Sequence, residues 1–214
     1  MSKPLLILMT RWPAPTRCKK RLSQDIGASR AAAIQRKLIL HTIAVAKSLQ
    51  EKGYLEIRLA VEGIGSKKIS RWASSHGITQ AEYQGKGSLG LKMKRQLVLT
   101  QRKRSLKSKN HREIIFIGTD VPDLCENDII SAISYLTRNE IVIGPAEDGG
   151  YWLIGFSENV LHPVLSWPFA GISWGSNAVL KETIRKAKVE GVKYELMHKK
   201  SDIDRLSDLE FWYS

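Results

Sequence analysis

Short aliphatic runs alternate with stretches of helical periodicity along most of this chain, and that alternation restricts its possible folds more than any other feature. Pro4 to Thr10 (PLLILMT), Leu55 to Glu62, Ile78 to Tyr83, Glu113 to Gly118 (EIIFIG) and Ile141 to Gly144 read as strands. Between them, Ala28 to about Gln50, Lys67 to His76, Leu89 to Thr100 and Asp128 to Thr137 carry apolar residues at helical spacing. Continuous apolar strands are those buried on both faces, so a three-layer α/β/α fold with a mostly parallel sheet is expected. After Pro145 the pattern changes. Glu147-Asp148-Gly149-Gly150 reads as a turn and Tyr151 to Phe156 as a strand returning antiparallel from it. A last helix is expected over Ser176 to Val189 with Ser176 as its N-cap, followed by a short strand to Met197 and an acidic tail.

The 214 residues carry no internal repeat and no convincing linker, which predicts one domain over 1–214. The longest early apolar stretch, Leu5 to Met9, is too short for a membrane span or a signal-peptide core, so a cytoplasmic protein without membrane attachment is expected. Cys18 and Cys125 stand far apart and read as plain thiols. The formal net charge of +13 suggests a nucleic-acid surface at first, but its distribution argues against one. Ten Lys or Arg and no Asp or Glu fall between Lys86 and Arg112, and the densest part, 101–112, contains no aromatic residue for base stacking. It reads as a solvated loop. The remaining excess favours anionic substrates by steering.

In a parallel α/β sheet ligands sit at the carboxyl ends of the strands. Gly118-Thr-Asp-Val-Pro-Asp123 follows the most apolar strand directly, which places Asp120 there as a candidate ligand for Mg²⁺ or Mn²⁺, hard ions that take oxygen donors. Asp123 reads equally well as an N-cap for the next helix. Gly144-Pro-Ala-Glu-Asp-Gly-Gly-Tyr151 puts a second acid-bearing turn on what reads as the neighbouring strand. There Asp148 is the candidate base or acceptor-orienting group, and Gly149 and Gly150 let backbone approach a ligand. Asp202 and Asp204 form a third acid group on one face of an extended segment. Arg17, Lys19, Lys20 and Arg21 cluster in the loop after the first strand, with Arg17, Lys19 and Arg21 as candidate contacts to an anionic ligand. Gly85-Lys-Gly-Ser-Leu-Gly90 matches a dinucleotide glycine pattern literally, but no acid follows about 20 residues on, which argues against NAD. Gly87 and Gly90 still suit a phosphate at a helix N-terminus.

Taken together, Arg17-Cys-Lys-Lys-Arg-Leu22, Gln84 to Gly90, Gly118 to Leu124, Gly144 to Gly155, Ile172-Ser-Trp174 and Asp202-Ile-Asp204 resemble a family of bacterial GT-A-fold transferases. That family is known as a domain of unknown function and is often labelled glycosyltransferase or nucleotide-diphospho-sugar transferase. More distantly the pattern is similar to guanylyltransferases that activate phospholactate and to molybdenum-cofactor guanylyltransferases. The resemblance implies a GT-A fold, a metal held by Asp120 with Asp202 and Asp204, and a donor met by Lys19, Arg21, Gln84, Lys92 and Trp174. It also suggests a place in arsenosugar biosynthesis. The chain departs from the family pattern in carrying Thr16 for glycine, Lys20 for threonine and Leu91-Lys92 for Glu-Arg. Two enzymatic readings are open, glycosyl transfer from a nucleotide sugar and nucleotidyl transfer from an NTP to a small phosphorylated acceptor. A basic nucleic-acid-binding protein without catalysis and a nucleotide-sugar binder without turnover are the rivals.

Overall fold

The computed structural model describes residues 2–105, 112–161 and 168–213. Strands β1 (Leu5–Arg11), β2 (Glu56–Glu62), β3 (Gln80–Tyr83), β4 (Ile114–Ile117), β5 (Ile141–Pro145), β6 (Tyr151–Phe156) and β7 (Tyr194–Leu196) form one sheet in the order β3-β2-β1-β4-β6-β5-β7. β6 runs antiparallel to both its neighbours, β4 and β5, and every other pairing is parallel. The expected mostly parallel sheet is therefore present. Because β6 inserts between β4 and β5, the two acid-bearing turns do not lie on adjacent strands, which corrects the sequence expectation.

Helices α1 (Lys20–Ile26), α2 (Ala28–Glu51), α3 (Ser66–Ser75), α4 (Leu89–Ser105), α5 (Glu126–Leu136), α6 (Val179–Val189) and α7 (Leu206–Tyr213) complete the fold. Side chains alternate across a strand, and β1 shows the result: Leu6 and Leu8 pack under α2, α3 and α5, whereas Leu5 and Ile7 face Met93 and Leu97 of α4. All four are fully buried. Each contributes about 1.5–3 kcal/mol relative to an exposed position, so the run Leu5-Leu6-Ile7-Leu8 commits β1 to the interior on both faces. A smaller cluster, Leu22, Ala31, Ile34, Leu38, Ile203 and Leu209, fastens α1 and the C-terminal tail to α2.

Several local expectations are corrected. Lys20 and Arg21 begin a short helix instead of lying in a loop. The basic stretch is helical as far as Ser105, its residues 106–111 lie outside the described residues, and Arg112 leads into β4. Ser176 does not cap α6, which starts at Val179 with Ala178 in the cap position; its hydroxyl instead accepts the Ala178 N–H. Asp123 does not cap α5 either: Cys125 holds that position, and its N–H donates to Asp128. The acidic tail folds in part into α7. Cys18 and Cys125 are both free, as expected. Among the described residues no helix is long and apolar enough to cross a membrane.

Candidate active site

The carboxyl ends of β1, β2, β4 and β5, the loop before α4 and the C-terminal tail enclose a cleft of about 770 Å³. The sequence-predicted residues Lys19, Arg21, Gln84, Lys92, Asp120, Asp148, Gly150, Trp174, Asp202 and Asp204 line it. Gly87, Gly90, Gly149 and Arg17 are not in its lining. Arg17 instead donates to the Gly63 carbonyl at 2.9 Å.

Asp120 follows β4, and its backbone carbonyl accepts the Ile203 N–H at 3.0 Å, which brings the tail against the sheet end. Ile203 is buried beside Leu22 and Leu38, and this anchor sends Asp202 and Asp204 to the cleft. They part there. Asp204 pairs with Arg21 at 2.8 Å, whereas burial first, and then the charges of Asp120 and Asp148, push the Asp202 carboxyl up to about 6 against the opposing pull of Lys19. Asp120, Asp148 and Asp202 thus form the acidic focus, with Asp204 held to one side by its arginine. Asp148 is braced by the Gly150 N–H at 2.8 Å.

The tail is fixed from its other end by Lys200, a residue that sequence reasoning missed. Its backbone bridges to Ala146 next to the β5 end. Its amine, buried beside Trp152, donates to Asp123 at 2.8 Å and reaches Asp128 at 3.1 Å. Lys200 and Asp128 are 5% and 4% exposed at their side chains, so removing the lysine leaves the Asp128 charge buried with only the His198 ring, at 3.0 Å, and the Cys125 N–H beside it. Lys200→Met is expected to lower unfolding free energy by about 3 kcal/mol, read from urea denaturation; an unchanged midpoint would show that the ion pair contributes nothing net.

Lys19 is the cation of the acidic focus. Its side chain is 4% exposed, and its amine meets Asp120 at 3.3 Å. Its backbone sits in the left-handed region at φ 45, and so does Thr16 at φ 67, the position where the family pattern has glycine. Non-glycine residues adopt that conformation at a cost, and it persists where the surrounding structure over-determines it. Lys92 reaches across to Glu62 at 2.7 Å, and Arg11 shares the same carboxylate at 3.2 Å. Burial pushes the Glu62 carboxyl up, but the hydrogen bond and charge of Lys92, together with Arg11, outweigh it and hold the group low. Glu62 was also missed, although its place at the end of β2 is the same signal that identified Asp120.

Gln84 is buried, and its side-chain amide donates to the carbonyls of Thr10 and Ala60 at 2.9 and 2.8 Å, tying the ends of β1 and β2 together. The Trp174 indole closes over Gly90: a Cβ at Gly90 would lie 2.5 Å from the ring. Tyr151 meets the same indole edge-on, with centroids 6.2 Å apart. Gly90 therefore serves the site as a seat for Trp174 rather than as a lining group.

Among the described residues no three His, Cys, Asp or Glu are gathered as a self-sufficient metal site. Asp120 and Asp202 nevertheless suit a hard divalent cation that takes one or two carboxylates and fills its remaining positions with phosphate oxygens and water. Burial first, and the neighbouring charges of Asp120 and Asp148 second, raise the Asp202 carboxyl, and a divalent ion bound there would favour its ionised form.

The mostly parallel sheet with one antiparallel strand is a fold that this chain shares with solved nucleotide-using transferases. A protein of Desulfovibrio desulfuricans G20, provisionally called a nucleotide-diphospho-sugar transferase, matches with a TM-score of 0.85 at 23% identity, over 100% of this chain and 87% of its own. An inositol-1-phosphate CTP transferase from T. maritima matches at 0.58 and 12% identity, over 99% and 94%. The Rv0371C protein of Mycobacterium tuberculosis H37Rv, solved in complex with manganese, matches at 0.56 and 13% identity, over 99% and 98%. No curated protein sequence matches the chain. The profile of the family described as "Uncharacterized protein conserved in bacteria (DUF2064)" matches residues 44–176, more than half of the sequence, and the protein belongs to that family.

Proposed function

We propose that this is a cytoplasmic, single-domain, divalent-metal-dependent transferase that uses a nucleotide-activated donor and transfers a glycosyl group from a nucleotide sugar to a small acceptor. The observation that carries the reading is the gathering of Asp120, Asp148 and the buried amine of Lys19 about Asp202 in one cleft. Asp120 and Asp202 would hold Mg²⁺ or Mn²⁺, and a bound ion supplies charge neutralisation at the donor's diphosphate as the bond to it breaks. Lys19, beside Asp120, is placed to meet that leaving group, while Arg21, paired with Asp204, and Trp174 line the same cleft. Asp148, braced through Gly150, lies where it can orient an acceptor hydroxyl and take up its proton. Nucleotidyl transfer from an NTP remains the second reading, favoured by the shared fold of the CTP transferase.

Thermal melting against NTPs and nucleotide sugars, each with and without Mg²⁺ or Mn²⁺, tests the donor. A ligand at about a hundred times its dissociation constant stabilises the folded state by about 2.7 kcal/mol, roughly 5–10 °C for a chain of this size. A metal-dependent shift is expected with nucleotide sugars. A shift confined to NTPs, with pyrophosphate released in the presence of a phosphorylated acceptor, selects the second reading. No shift with any member of the panel removes both.

A further inference from the structure

The Lys and Arg that line the cleft are all engaged by carboxylates: Arg11 and Lys92 by Glu62, Arg21 by Asp204 and Lys19 by Asp120. Among the described lining residues no cation is therefore left over for a diphosphate, although the proposed donor carries one. Three of these pairs involve an arginine or a shared carboxylate away from the acidic focus. Among the described residues, Lys19 alone pairs with a carboxylate that the proposed metal needs.

We propose that Lys19 is a built-in counterion for Asp120, holding the metal's place in the free protein and passing to the donor's phosphates when the metal arrives, so that metal and donor bind cooperatively. The inference rests on the metal-dependent reading above. Its physical basis is geometric. The Lys19 amine lies 3.3 Å from Asp120 Oδ2, inside the space that a cation bonded to this carboxylate occupies or repels. The side chain is 4% exposed and rooted in a left-handed residue at the start of α1, so the amine does not simply swing into solvent. Metal binding alone would strand a buried ammonium without a partner, an unfavourable state. A diphosphate entering with the metal supplies that partner. Coupling of this kind is reciprocal: the metal strengthens phosphate binding by the same factor as phosphate strengthens metal binding.

The test measures Mn²⁺ binding to the full chain by the loss of the free-ion EPR signal, with Mn²⁺ alone and with pyrophosphate, which carries the diphosphate chemistry common to both donor types. The wild-type protein is expected to bind Mn²⁺ weakly alone and about tenfold more tightly with pyrophosphate, after correction for the complex the two form in solution. Lys19→Met is expected to bind Mn²⁺ alone about tenfold more tightly than wild type and to lose the pyrophosphate enhancement. Lys19→Arg, which keeps the charge, should stay close to wild type in the absence of pyrophosphate. Equal or weaker Mn²⁺ binding by a folded Lys19→Met, as judged by circular dichroism and thermal melting, overturns the counterion role while leaving the metal reading intact. If wild type and both variants all fail to bind Mn²⁺, the metal-dependent reading fails and the inference falls with it.

Discussion

Asp120→Asn is expected to reduce donor turnover by about a hundredfold or more while leaving the fold in place, the scale seen when a preorganised electrostatic contact to a developing charge is lost. Asn matches Asp in volume, and the contact by which residue 120 holds the tail is its backbone carbonyl, which accepts from Ile203. The substitution therefore removes charge without releasing Asp202. It also frees Lys19 from its carboxylate, so the acidic focus loses one negative charge and the site loses its principal oxygen donor for a cation. Turnover should be followed by release of the nucleotide product, and Mn²⁺ binding measured on the same samples. Turnover within a few-fold of wild type, with Mn²⁺ binding retained, would falsify the assignment of Asp120 as the metal-holding carboxylate.

Gly149→Ala is expected to be the most damaging small substitution in the turn that carries Asp148. Gly149 has φ +86, and a Cβ there would lie 2.2 Å from the Asn177 carbonyl oxygen and 2.8 Å from that residue's carbonyl carbon and Cα. The obstacle is backbone, not the end of a flexible side chain, so one of the two segments must move. Its carbonyl also accepts the Leu180 N–H at 3.0 Å, joining the turn to the first turn of α6. Left-handed strain and the displaced contact together should cost about 3 kcal/mol. The 146–150 turn would shift with them, and Asp148 would move off its brace on Gly150. Urea denaturation should show a lower midpoint with an unchanged slope, and turnover should fall as well. A variant as stable and active as wild type would mean that the turn and the segment around Asn177 separate freely, and Asp148 would then lose its fixed position in the proposed chemistry.

Lys19, Arg58, Lys92 and Lys200 show where reading the chain residue by residue stops. Each counts toward the formal charge of +13, and basic residues are mostly exposed. Here their residue exposures are 8%, 1%, 8% and 6%. Lys19, Lys92 and Lys200 are tied to carboxylates that lie far away in sequence, Asp120, Glu62 and Asp128. Arg58 lies beneath α4, where its guanidinium donates to Thr100 and Gln80; burial lowers its pKa to about 10, with nearby Glu82 pulling the other way. None of these pairings has a periodicity or a local motif.

The sequence alone determined the features that short-range rules govern. Continuous aliphatic strands require cover on both faces, which dictated the three-layer parallel architecture. Acids directly after such strands fall at the ligand-binding edge, and Asp120 and Asp148 were legible for that reason. The returning strand after Gly149-Gly150 was legible from its turn. Tertiary structure decided the features that depend on which segments meet. It inserted β6 between β4 and β5, so the two acidic turns converge across an intervening strand. It separated Asp202 from its neighbour Asp204 by giving the latter an arginine. It made Lys19 the partner of Asp120, although the sequence offers several equivalent basic residues beside it. Side-chain period and turn chemistry are properties of a few consecutive residues, whereas the neutralisation of a buried charge depends on distance in space, and only the folded chain sets that distance.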